Sequence, residues 1–85
     1  MKDGKMTAKE LEVFNYVKTN GGRVSIEELV EATGRTSRSI GPNINALAAN
    51  GLAVREKIEV EDADKPLVYV VLTEAGKAFT PVLAE

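Results

Sequence analysis

The residues best equipped for chemistry lie between positions 35 and 57. Arg35, Thr36, Ser37, Arg38 and Ser39 form a run of guanidinium and hydroxyl groups, followed at wider spacing by Asn45, Arg55 and Lys57. Cations and hydroxyls of this kind recognise anions and polar edges, and with no base beside them the hydroxyls are not activated as nucleophiles. The usual instruments of catalysis are missing. The 85 residues include no Cys and no His. That removes thiolate chemistry, disulfides, cysteine metal sites and the commonest general base near neutral pH. There is no GxxxxGK[ST] loop, no nucleophile with a base and no metal-ligand spacing, so no enzyme, cofactor or metal is expected. Gly21-Gly22-Arg23 reads as a helix stop, and Asp62 with Asp64 lacks the rest of a calcium loop.

Charge placement sharpens the picture. Eleven Lys and Arg face thirteen Asp and Glu, for a net charge of −2. Any affinity for a polyanion must therefore come from a local patch. From Gly34 to Lys57 the basic residues Arg35, Arg38, Arg55 and Lys57 oppose one acid, Glu56. Beyond them Glu59, Glu61, Asp62 and Asp64 crowd together with only Lys65 in opposition. No run is apolar enough to span a membrane, and the polar start Met1-Lys2-Asp3-Gly4-Lys5 lacks an export signal core. A cytoplasmic location without membrane attachment is the expectation.

The elements that must position these residues are well punctuated. Thr7-Ala8-Lys9-Glu10 is a capping box, with Met6 and Leu11 at the spacing of a hydrophobic staple. Leu11, Phe14 and Val17 continue as an apolar face, predicting a helix over 8–20 that ends at Gly21. Ser25-Ile26-Glu27-Glu28 repeats the box, with Val24 and Leu29 as its staple, and predicts a helix over 26–33. Arg23-Val24 leaves room for a very short strand. Ile40, Ile44 and Leu47 form one stripe of a third helix, placed at 38–50. Its start is ambiguous, since Thr36, Ser37 and Ser39 are all plausible caps and Pro42 argues for a late regular start.

Two strands follow. Val54, Ile58 and Val60 fall on one face, with Arg55, Lys57, Glu59 and Glu61 on the other, and Glu56 interrupts the apolar face, which makes the first part edge-like or twisted. Asp62 to Pro66 is a turn by composition, and Leu67 to Leu72 is the better-buried strand. Thr73 caps a last short helix from Glu74 to about Phe79. The order is helix, short strand, helix, helix, strand, strand, helix. It describes an α+β chain in which a helix-turn-helix precedes a β-hairpin.

Three stretches of that pattern resemble the winged helix-turn-helix fold, in particular the core of MarR-like regulators. They are Gly22 to Leu29, the segment from Ile40 to Asn50-Gly51-Leu52-Ala53, and Leu72-Thr73-Glu74-Ala75-Gly76-Lys77, which is similar to the "LTxxG" segment after the wing. The resemblance implies a three-helix core, a two-stranded β-hairpin wing and a short C-terminal helix. On that reading residues 7–80 form the domain, 1–6 a flexible N-terminus and 81–85 a C-terminal tail. The extra dimerisation helices of full MarR regulators have no room in 85 residues.

The resemblance also implies a function: a small transcriptional regulator, bacterial, archaeal or viral, that places its third helix in the major groove of double-stranded DNA. The face opposite Ile40, Ile44 and Leu47 holds Arg38, Pro42, Asn45 and Ala49, with Gly41 at its margin. Arg suits guanine and Asn suits adenine, and small residues allow close approach. Arg35, Thr36, Ser37 and Ser39 stand where a helix N-terminus favours phosphate, although the two serines also serve as caps. Arg55 and Lys57 extend the patch, while the acidic hairpin tip should stay off the backbone. The second reading is a winged-helix adaptor that binds protein instead of DNA, with the acidic tip as its argument. A homodimer would read two half-sites. Tyr16, Phe79, Val82 and Leu83 are candidates for its surface, or they close the monomer core, the preferred reading for Phe79.

Overall fold

The computed structural model describes residues 5–62 and 64–83. The elements run β1 (Lys5–Met6), α1 (Ala8–Thr19), β2 (Arg23–Ser25), α2 (Ile26–Thr33) and α3 (Ser37–Ala49). They continue with β3 (Ala53–Ile58), β4 (Leu67–Leu72), α4 (Glu74–Ala78) and β5 (Val82–Leu83). This is an α+β winged helix-turn-helix arrangement. The helices pack on one face of an antiparallel sheet of order β2-β4-β3.

Local chemistry explains where the helices start. At α1 the Thr7 Oγ1 accepts from the Glu10 N–H at 3.2 Å and the Glu10 carboxylate accepts from the Thr7 N–H at 2.9 Å, a closed capping box. At α2 only half the expected box forms. Ser25 Oγ accepts from the Glu28 N–H at 3.0 Å, but the Glu28 carboxylate turns to accept the Tyr16 hydroxyl at 2.9 Å. The reciprocal contact is exchanged for a link between α1 and α2. Gly34 ends α2 in the left-handed region at φ +71°, its N–H donating to the Val30 carbonyl at 3.0 Å. Thr36 is the cap of α3 and accepts from the Ser39 N–H at 3.1 Å. The helix therefore begins earlier than Pro42 suggested. Pro42 sits inside it, on its exposed side. Pro42 has no N–H to donate to the Arg38 carbonyl, one turn earlier in the helix.

The core joins Phe14 and Val17 of α1 and Leu29 of α2 to Ile40, Ile44 and Leu47 of α3, with Val24, Val70 and Leu72 from the sheet. Phe79 closes it from behind α4, edge-on to Phe14 at 5.9 Å between ring centroids. The Leu72-Thr73-x-x-Gly76 segment has a direct physical reason. The Thr73 N–H donates to the Leu52 carbonyl at 3.0 Å and its hydroxyl donates to the Gly51 carbonyl at 2.7 Å. That ties α4 to the end of α3 so closely that a Cβ on Gly76 would lie 2.0 Å from the Leu52 oxygen. No other residue fits without backbone movement.

Two expectations change. Met6, assigned to a flexible lead over 1–6, is fully buried, and Lys5–Met6 pairs in parallel with Val82–Leu83 of the expected tail. The staple role of Met6 draws it inward, and the chain ends meet beside α1. Residues 1–4, 84 and 85 of the expected lead and tail lie outside the described residues. The second change is the face of β3. Val54 and Val60 are exposed, at 50% and 37%, whereas Ala53 is buried. Leu52 and Ala53 enter the core directly after α3. With a side-chain period of two, Ala53, Arg55 and Lys57 then share the helix side of the sheet, opposite Leu72, Val70 and Val68.

Candidate nucleic-acid interface

That inversion of β3 builds the site. Because Arg55 lies on the helix side, its guanidinium reaches α3. Its Nη1 donates to Asn45 Oδ1 and its Nη2 to the Gly41 carbonyl at 3.3 Å. Gly41 and Asn45 are one helical turn apart, so Arg55 straddles a turn of α3. Lys57 follows two residues along the same edge and is exposed. Glu56, the single acid inside the basic run, points to the other side of the sheet. There it accepts from Arg23 at 2.7 Å, and the Arg23 guanidinium lies 4.0 Å above the Tyr69 ring. The Glu56 contact holds Arg23 more firmly protonated than usual. The acid that dilutes the patch in the sequence is thus held away from it in space.

Arg35 behaves differently. Its side chain is only 15% exposed. Nε and Nη2 donate to Ser39 Oγ at 3.2 and 3.0 Å, and Nη2 also reaches the Ser39 carbonyl at 3.0 Å and Asn43 Oδ1 at 2.6 Å. Nη1 lies at 3.4 Å from the Lys9 carbonyl and 3.5 Å from Glu12 Oε1 on α1. All three nitrogens are engaged within the protein. Arg35 locks the start of α3 against α1, and no free donor is left for a ligand in this conformation.

The other sequence candidates divide the same way. Thr36 is occupied as the cap and Ser39 by Arg35. Ser37, Arg38, Pro42 and Asn45 are exposed on α3, and Gly41 is half-buried beside Arg55. Among the described residues, neither Arg38 nor Lys57 has a hydrogen-bond or ion-pair partner within the protein. The structure therefore brings Arg38, Asn45, Arg55 and Lys57 to one side and withdraws Arg35, Thr36 and Ser39 into the scaffold. Asn43, left open between core and surface by the sequence, holds Arg35. The signal was partial: Ser39 and Asn43 stand four residues apart on one face of α3, and Arg35 lies in the turn just before the helix.

Of the residues considered for a dimer surface, Phe79 packs into the core and Tyr16 bonds Glu28. Val82 and Leu83 remain exposed at 56% and 49%. Among the described residues no helix is long and apolar enough to cross a membrane.

No protein-family model matches the sequence, and neither does any curated protein. Solved structures do match. A MarR-like transcriptional regulator from Thermotoga maritima is 33% identical, with a TM-score of 0.69 over 86% of this chain and 49% of its own. A transcriptional regulator homologue from Pyrococcus horikoshii is 20% identical, with a TM-score of 0.68 over 81% of this chain and 65% of its own. A disulfide-bonded form of AbfR is 16% identical, with a TM-score of 0.70 over 86% of this chain and 47% of its own. This chain has no cysteine with which to form such a bond. It spans about half to two thirds of the length of these proteins.

Proposed function

We propose that this MarR-like winged-helix domain binds double-stranded DNA as part of transcriptional regulation, with α3 presented to the major groove. The observation that carries the reading is the outward side of α3. It bears Arg38 and Asn45, is flanked by Arg55 and Lys57, and has no acid in its sequence from Ser37 to Ala49. Such a surface supplies the donors and positive potential that base edges and phosphates require. The small residues Gly41 and Ala49 allow the helix to approach a groove closely. Few cations means modest affinity with strong salt dependence.

Glu59, Glu61, Asp62 and Asp64 stand on the hairpin loop and would be repelled by phosphate. On this reading the helix and the base of the wing meet DNA and the tip does not. The same acids favour the second reading, an adaptor that binds a basic protein. A homodimer joined near the exposed Val82 and Leu83 would double the DNA contacts, and sedimentation at high micromolar concentration tests it.

The deciding experiment is an amide NMR titration with a mixed-sequence duplex at low and at physiological salt. Salt-sensitive shifts concentrated from Ser37 to Asn45, with Arg55 and Lys57, are expected. An unchanged spectrum at low salt would overturn the proposal.

A further inference from the structure

Resting on that DNA-binding reading, we infer that Arg55 sets base specificity: by holding the side-chain oxygen of Asn45 it leaves Asn45 only its donors to offer a base, so that this position of α3 selects guanine over adenine. An arginine has five donors and no acceptor, so the Asn45 atom facing it can only be the oxygen. The amide orientation is thereby fixed by chemistry, and what Asn45 has left to offer a base is its NH2 group. Asn43 repeats the arrangement, because its oxygen accepts from Arg35 at 2.6 Å. Both asparagines of α3's middle turn thus have their acceptor engaged by an arginine from another element. Arg38 and Lys57 are donors by nature.

The choice of base follows. An unconstrained asparagine reads adenine by accepting from the exocyclic amine while donating to N7. Here the oxygen that must accept already faces a guanidinium. Adenine's amine hydrogens would crowd against a cation and other donors. Guanine offers O6 and N7, two acceptors, to the same groups. Arg55 can hold Asn45 and still donate to O6 or to a phosphate. Arg55 is therefore a positioning residue for Asn45 whether or not it touches the base itself.

The test compares the intact chain with Arg55→Met, which keeps the aliphatic stem and removes every donor. Two measurements separate the outcomes. In free protein, the Asn45 side-chain amide resonances should move in Arg55→Met while the Asn43 resonances stay. In a binding-site selection from a randomised duplex, the wild type should favour guanine at one position that Asn45→Ala leaves unspecified. A preference of about 5- to 100-fold is expected there. In Arg55→Met that preference should fall at least fivefold or turn to adenine, at that position alone. Uniform weakening at every position, with the guanine preference intact, would overturn the inference and leave DNA binding standing. A wild-type preference for adenine at the Asn45 position would also overturn it. Failure of the wild type to bind any duplex at low salt would remove the DNA reading and this inference together.

Discussion

Arg35 and Arg55 each hold the carbonyl oxygen of an α3 asparagine, one from the turn before the helix and the other from the strand after it. Arg35 is mostly covered and shares its nitrogens among Ser39, Asn43 and α1. Arg55 is exposed, and among the described residues its side chain hydrogen-bonds to Asn45 and Gly41 alone. Identical chemistry thus serves two purposes, and solvent access decides between them. A hydrogen bond to a charged group shielded from water contributes to stability, whereas the same bond at the surface competes with water and contributes little. What the exposed pair keeps is access to a ligand, because Arg55 retains free donors while it holds Asn45.

The largest expected effect follows from that contrast. Arg35→Ala should cost about 2–3 kcal/mol of unfolding free energy, read from urea denaturation, because it strips the covered contacts from Ser39 and Asn43 at once. Arg55→Ala should change stability by less than about 0.5 kcal/mol. Equal losses in the two variants would erase the distinction between scaffold and surface.

Next in size is the effect on DNA. Arg38→Ala and Asn45→Ala should each weaken specific binding by about 1–3 kcal/mol and relax the base preference at one position, with melting temperature unchanged. Retained affinity and unchanged preference in both would remove α3 from the interface. Binding-site selection followed by fluorescence anisotropy measures both quantities.

The same residues show how much of this was legible in the sequence. The helices were, because caps and apolar stripes are local: Thr7, Ser25, Thr36 and Thr73 each accept the N–H three residues on. The packing of α4 was announced by Gly76, although nothing in the sequence says that its neighbour is the Leu52 oxygen. The face of β3 was misread. Val54 and Ile58 look like core residues, but the strand's phase is fixed by the Leu52–Ala53 entry from α3, a tertiary constraint. The candidate patch inherited the same gap. Residue type identified Arg35 and Arg55 equally, and only burial separates them.

A smaller effect probes the wing. Lys57→Ala should reduce the slope of log affinity against log salt by about 1, the loss of one phosphate contact. Glu61→Lys combined with Asp62→Lys should leave that slope unchanged, since the loop stays clear of the backbone in the proposed complex. A steeper slope in the double variant would bring the wing tip onto DNA and extend the interface past β3.

The smallest effect concerns Tyr16 and Glu28, a surface pair whose influence is on titration rather than stability. The hydrogen bond to Glu28 raises the Tyr16 phenol above its ordinary value of about 10, with lesser contributions from partial burial and from the negative charges of Glu28 and Glu31. The folded chain therefore holds this proton more tightly than the unfolded chain does. Whatever stability the pair contributes is present in full below about pH 10 and is lost as pH rises through the folded-state value. Glu28→Gln should bring the Tyr16 transition back down, seen by tyrosinate absorbance, and should leave DNA affinity at neutral pH untouched. A change in DNA affinity would mean that the link between α1 and α2 reaches the far side of α3. The separation drawn between scaffold and recognition surface would then have to be redrawn around the whole helix-turn-helix.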